Sequence, residues 1–259
     1  MSGVRLLDLL FPYLAAILGL VLGGFYRACV NRYLGGDSPA GPGPGCPHCG
    51  RPLTASETAS RFGRLLQRGR CRSCGGRLPS AGPAIETVSA LWALGLALEY
   101  GPGPAWLVYM TLGGIFIVAS FIDLTEFILP DALTYPAVVL ALAGRIFLLG
   151  EPASGPLIGA ASGPLFFWLL AAAYRRVRDA EGLGLGDVKL MASIGALVGW
   201  RGLPLTIVLS SAAALFASPF FLRAHRDTRR APIPFGPFLC LGAMLYVLYG
   251  HRLVGLAPR

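Results

Sequence analysis

Two aspartates stand where apolar segments meet loops: Asp123 in Phe121-Ile122-Asp123-Leu124 and Asp187 in Gly184-Leu185-Gly186-Asp187-Val188-Lys189. A carboxylate near a membrane-spanning helix costs about 2.5 to 3.5 kcal/mol at the bilayer centre and less toward its edge, so such a residue is a functional candidate by default. The chemistry open to a pair of them is hydrolysis of an amide without a side-chain nucleophile. One carboxylate takes a proton from water while one carboxylic acid polarises the carbonyl, and two close carboxyls can share that proton because like charges disfavour ionising both. The titration of such a pair belongs to both residues together.

The elements that must position these acids follow from composition. The chain has 259 residues, 54% hydrophobic and 14% charged, with a mean hydropathy of +0.63, against roughly 25% charged in a soluble domain. This excludes an ordinary globular protein and predicts an all-α polytopic membrane protein. Spans need about 20 apolar residues each. Eight segments qualify, at 6–30, 84–98, 105–122, 132–149, 156–174, 188–200, 203–222 and 235–249, the second and sixth being short. The first lacks a basic start and a small-residue cleavage site and leads into further spans, so it is expected to be retained as a helix. The expected organisation is a first transmembrane helix (1–30), an inserted loop domain (31–83) and a membrane core of about seven helices (84–259).

The net charge of +9 is arranged by loop rather than by face. Arginine fills the first loop (Arg32, Arg51, Arg61, Arg64, Arg68, Arg70, Arg72, Arg77) and follows the fifth segment (Arg175, Arg176, Arg178) and the seventh (Arg223, Arg226, Arg229, Arg230). The intervening loops hold almost none. The positive-inside rule makes the Arg-rich loops cytoplasmic and both termini external. Anchoring to anionic lipid accounts for most of these arginines, so no nucleic-acid partner is expected. Helix parity then puts Asp123, at the end of an inward helix, and Asp187, at the start of an outward one, at the same cytoplasmic face.

Residues 31–83 are polar and Arg-rich, and contain the linker Gly41-Pro42-Gly43-Pro44-Gly45. They carry Cys46-Pro47-His48-Cys49-Gly50 and Cys71-Arg72-Ser73-Cys74-Gly75, two C-x-x-C pairs with 21 residues between them. Each pair followed by Gly has the form of a zinc knuckle. Four thiolates from Cys46, Cys49, Cys71 and Cys74 would close a tetrahedral structural site. Paired disulfides are the alternative, disfavoured in a reducing compartment. With four thiolates, His48 reads as a turn residue. A metal here would supply folding energy to a segment with little core of its own. Cys29 and Cys240, in apolar segments, read as packing residues.

The glycines Gly184 and Gly186, with Gly182, allow close backbone approach beside Asp187. Lys189, two residues beyond Asp187, would point away from that acid on a helix, toward lipid phosphate or toward support of the site from another side. Asp131, after Pro130 at a helix start, reads as a capping residue. Glu126 reads as a solvated loop acid, and Glu86 as a first-turn acid favoured by the helix dipole.

Taken in order, Arg32, the cysteine module, Arg68-Gly69-Arg70-Cys71, Pro83 and Glu86, Ile122-Asp123 with Leu129-Pro130-Asp131, the Gly184–Lys189 run and Pro234-Phe235-Gly236-Pro237 resemble the type IV prepilin peptidases, a family of G-x-G-D aspartyl peptidases of the bacterial inner membrane. The likeness runs from about Gly23 to Pro237. It implies that Asp123 and Asp187 are the catalytic dyad, with Gly184, Gly186, Lys189, Glu86 and Asp131 as supporting residues. It implies as substrates prepilins, or the pseudopilins of type II secretion, cut after the glycine that ends a short basic leader, with pilus or secretion machinery as further partners. It also implies methylation of the new N-terminus with S-adenosylmethionine. Two stretches depart from the pattern: Thr54–Gly63 keeps only Glu57 of the usual run, and Arg27 stands where Asn is common. Two other classes compete: a zinc-sensing ion transporter whose intramembrane acids bind a cation, and an intramembrane protease cutting other helices with the same dyad.

Overall fold

The structure, a computed structural model, describes residues 2–34, 49–51, 71, 73–76, 84–178, 184–224 and 234–254. Every described regular element is helical: α1 (Ser2–Leu34), α2 (Ala84–Tyr100), α3 (Pro104–Glu126), α4 (Asp131–Ala143), a π-helical turn (Gly144–Leu148), α5 (Ser154–Arg178), α6 (Leu185–Ala224) and α7 (Gly236–Val254). Five helical spans, in α1, α3, α4 with its π turn, α5 and α6, are long and apolar enough to cross a membrane, while α7 holds a shorter apolar stretch. The protein is a multi-pass helical membrane protein. All eight expected segments are helical. The sixth and seventh, labelled together as α6, are two helices that meet at a kink at Gly199, whose φ of 70° and ψ of 167° lie outside the helical region. A left-handed φ is open to glycine at little cost, so one residue breaks the helix where the hydropathy pattern suggests a loop.

The chain divides into two compact units, Met1–Trp106 and Leu107–Arg259. In the first, α1 packs along α2. A Cβ on Gly19 would come 2.6 Å from the Ser89 carbonyl, and one on Gly23 would come 2.6 Å from Glu86 Cα, so the two backbones touch where only glycine fits. Beside this contact Arg27 Nη1 meets Glu86 Oε1 at 2.8 Å, the two side chains 3% and 1% exposed. Near the outer end of the pair, Trp106 Nε1 donates to the Ala93 carbonyl at 3.2 Å and stacks edge-on with Phe11.

In the second unit α6 packs against α4, α5 and α7. The antiparallel register of α5 and α6 is set by glycine: Gly159 and Gly195 meet backbone to backbone, and a Cβ on Gly163 would lie 2.6 Å from the Met191 carbonyl. Continuing that register by one helical turn brings Phe167 level with Asp187. α5 then extends eight residues further to Arg175, a rise of about 12 Å. The start of α6 is therefore recessed by about two turns below the basic end of α5.

Candidate active site

Asp123 lies in the last turn of α3. The helix ends at Glu126, and Phe127, whose N–H donates to the Asp123 carbonyl at 3.0 Å, turns the chain with a φ of 56°. A bulky residue held in the left-handed region stores strain of about 1 to 3 kcal/mol, and such residues gather at functional sites. Asp187 stands in the first turn of α6, where Asp187 N–H donates to the Gly184 carbonyl at 3.2 Å.

The structure brings both acids into one cavity of about 760 Å³. Asp123 is buried and Asp187 half-buried, close enough for each charge to act on the other. The cavity floor and walls are apolar and aromatic: Phe127, Ile128 and Leu129 from the α3–α4 turn, Phe166, Phe167 and Leu170 from α5, Ile207 from the second half of α6, and Phe235 before α7. Phe167 and Phe235 stack with ring centroids 6.3 Å apart. Among the residues lining the cavity the charged ones are Asp123, Asp131, Asp187 and Lys189. The arrangement joins two acids, a low-polarity wall and room for an extended stretch of peptide.

Several predicted site residues take up positions that spacing alone did not specify. Gly186 packs on Leu129, where a Cβ would sit 3.2 Å from the leucine Cβ, whereas a Cβ on Gly184 would make only ordinary contacts, 3.9 Å from the Gly186 nitrogen and 4.0 Å from Asp187 Oδ2. Gly182 lies outside the described residues. Asp131 is not a cap: the N-cap position of α4 is Pro130, with no side-chain cap bond, and the Asp131 carboxylate instead accepts from Lys189 Nζ at 2.7 and 2.9 Å. The capping reading fails because a cation 58 residues away in sequence reaches the carboxylate. Glu126 is exposed at the end of α3, as expected. Glu86 belongs to the first unit, where it faces Arg27.

One contributor, Gly236, was not singled out by itself in the sequence, and a second, Cys240, was read only as a packing residue. The Gly236 N–H donates to the Asp123 carboxylate, and a Cβ on Gly236 would stand 2.5 Å from Asp123 Oδ2. The signal was present in Pro234-Phe235-Gly236-Pro237, a turn whose glycine opens a helix. Cys240, one turn further along α7, is buried as a packing residue should be, but its thiol also makes a hydrogen bond with Ser120, one turn before Asp123.

In the first unit, Cys49, Cys71 and Cys74 place their sulfurs within 4.8 Å of one another, with Cys49 Sγ and Cys71 Sγ 3.9 Å apart. Thiolates about 2.3 Å from a common ion at tetrahedral angles are separated by about 3.8 Å, so the set suits a metal and is far from disulfide length. Gly50 and Gly75, each following a C-x-x-C pair, both have a φ of 69°, the conformation a knuckle turn asks of glycine. The Gly75 N–H closes the second turn by donating to the Cys71 carbonyl at 2.9 Å. Cys46, His48 and the Thr54–Gly63 stretch lie outside the described residues.

The fold and site define a multi-pass helical membrane protein with two carboxylates in one largely apolar cavity and a thiolate cluster after its first helix. The sequence matches the profile of the Type IV leader peptidase family over residues 90–218 and that of the Bacterial Peptidase A24 N-terminal domain over residues 17–100. A protein of Aeromonas hydrophila named prepilin leader peptidase/N-methyltransferase is 36% identical over 214 residues, spanning 80% of this chain and 72% of its own. Proteins of the same name from Pseudomonas putida and Dickeya chrysanthemi are 34% and 33% identical, covering 82% and 90% of this chain and 74% and 90% of their own. No solved structure matches. This chain belongs to the type IV leader peptidase family, and it is a peptidase.

Proposed function

We propose that this chain is an aspartyl endopeptidase of the bacterial inner membrane that removes the short basic leader of type IV prepilins or type II secretion pseudopilins at the cytoplasmic face. The observation that carries the proposal is the convergence of Asp123 and Asp187 on one apolar-walled cavity. In this mechanism the two carboxyls hold one proton between them. The ionised member takes a proton from a water as its oxygen attacks the scissile carbonyl, and the protonated member donates to the carbonyl oxygen. The tetrahedral diol then collapses: the carboxyl that accepted the water proton gives it to the departing amine while the other takes a proton back from a diol hydroxyl as the carbonyl re-forms, so the pair ends as it began. The Gly236 N–H, by holding the Asp123 carboxylate, fixes one of the two reacting oxygens.

The recess below the basic end of α5 supports this substrate class. The apolar segment after the cut would lean on Phe166, Leu170 and Ile207, with the leader beyond the cavity in the aqueous layer. The arginine-rich loops support a cytoplasmic position for that end by the positive-inside rule. The names of the relatives support a second activity, N-methylation of the new terminus with S-adenosylmethionine as donor. The three gathered thiolates support a structural zinc ion, with Cys46 as the fourth ligand.

The test is mass spectrometry of a prepilin incubated with membranes carrying the protein and S-adenosylmethionine. Loss of the leader, with an added methyl mass, is expected from the unaltered protein. Asp123→Asn and Asp187→Asn should each lower kcat by at least about 1,000-fold, as for members of a unit that acts together, while Glu126→Gln cleaves normally. A fully active Asp187→Asn enzyme would sink the assignment.

A further inference from the structure

The first half of α6 carries Asp187 and stops at the Gly199 break, so it is a short helix with two ends to hold. α4 and its π turn lie against it and touch it through side chains at both ends. At the Asp187 end, Lys189 Nζ reaches both Asp131 carboxylate oxygens, at 2.7 and 2.9 Å, and stands 5.6 Å from the ring centroid of Tyr135, one turn further along α4. At the other end Arg145, in the π turn, donates from Nη1 to the Leu197 carbonyl at 2.6 Å and is paired through Nη2 with Glu151. The last carbonyls before a break have lost their helical donors, and Arg145 supplies one.

These contacts are poorly explained as devices for stability. The Lys189 and Asp131 side chains are 37% and 55% exposed, and open ion pairs contribute little. Their placement explains them better. Asp131 follows Asp123 by eight residues, across the strained turn at Phe127, and Lys189 follows Asp187 by two. The Asp131–Lys189 contact therefore closes a ring that joins the segments carrying the two acids.

We propose that α4 is a splint for the half-helix of Asp187: Asp131 with Lys189 latches one end, Arg145 with the Leu197 carbonyl latches the other, and these three are positioning residues that set where Asp187 stands relative to Asp123. The catalytic consequence rests on the reading of Asp123 and Asp187 as the dyad. The latches themselves do not.

Two measurements test the splint. The first is amide hydrogen exchange on the purified full-length protein. Lys189→Met should speed exchange roughly tenfold or more in the first turns of α6, and Arg145→Leu should do so near Leu197, with α5 unchanged. Lys189→Arg and Arg145→Lys keep the donors and should exchange as the unaltered chain does, which separates a lost latch from a general loss of folding. Exchange that is unchanged in both Lys189→Met and Arg145→Leu, or raised equally throughout the second unit, overturns the splint.

The second is a double-mutant cycle on prepilin cleavage. Asp131→Asn and Lys189→Met should each lower kcat roughly 10- to 100-fold with little change in KM, and the double variant should be no worse than the weaker single one because both remove the same contact. Losses that multiply, or that fall on KM alone, would make Lys189 a substrate contact and overturn the positioning role. If the unaltered chain cleaves no prepilin while exchange responds as expected, the functional reading fails and the splint stands.

Discussion

The thiolate cluster of the first unit and the carboxylate pair of the second are assembled in opposite ways. Cys71 and Cys74 are three residues apart in one turn, and a single closure of 22 residues brings Cys49 to them. Each C-x-x-C pair carries its own glycine in the conformation the turn needs. Asp123 and Asp187 are 64 residues apart, on different helices, and no local turn relates them. Their meeting depends on the glycine contacts that register α5 on α6 and on Gly236, which lets the start of α7 close on Asp123. A thiolate cluster is thus specified by its own few residues, and an acid pair by the packing of a whole unit.

The comparison breaks most sharply at Gly236. In Gly236→Ala the new methyl would stand 2.5 Å from Asp123 Oδ2, so the carboxylate must turn away or α7 must withdraw and take with it the N–H that holds the acid. A misplacement of about 1 Å costs roughly 100-fold in rate, and a fall in kcat of that order is expected, with helix content by circular dichroism unchanged. Normal turnover by Gly236→Ala would mean that the acids tolerate a looser frame than the packing implies.

What could be seen in the sequence follows the same division. The gathering of Cys49, Cys71 and Cys74 is legible because C-x-x-C spacing is local. The eight helical segments are legible because hydropathy needs only neighbours. Asp123 and Asp187 stand out because carboxylates are rare in apolar runs, and loop arginines put them on one side. Their partners were hidden because each is a long-range contact: Lys189 with Asp131, Arg145 with the Leu197 carbonyl, Gly236 with Asp123. The boundary between the sixth and seventh segments was legible as well, since the break at Gly199 falls at the dip in hydropathy.

Arg27 and Glu86 could have been matched in principle, because an arginine and a glutamate that both fall on apolar helices call for each other. Their pairing tests whether the first unit also depends on packing at long range. Arg27→Leu removes the cation from a carboxylate that is 1% exposed, a change expected to destabilise the unit by about 3 to 5 kcal/mol. Thermal unfolding in detergent should show an early transition that the unaltered chain lacks. The double variant Arg27→Leu with Glu86→Leu should recover much of the loss, because a buried pair replaced by apolar residues of similar size is often neutral. A double variant as unstable as the single one would mean that the pair fixes the approach of α1 and α2 beyond cancelling charge.

The smallest effect on catalysis, and the sharpest on the other side of the comparison, is expected at the cysteines. Cys71 is the buried sulfur of the three described, and its carbonyl and N–H both close turns, to Gly75 and Gly76. Cys71→Ser should abolish metal binding, read as about one zinc per chain falling to none by elemental analysis, since a hydroxyl is a poor substitute for a thiolate on zinc. Cys29→Ser, in an apolar segment, should leave that stoichiometry intact. The described residues that line the carboxylate cavity belong to the second unit, so hydrolysis of a short leader peptide by Cys71→Ser should stay within about twofold of the unaltered rate, as for sites with no shared partners. A large fall in peptide hydrolysis on loss of the metal would show that the thiolate cluster governs the acids after all, and that the two regions are one machine.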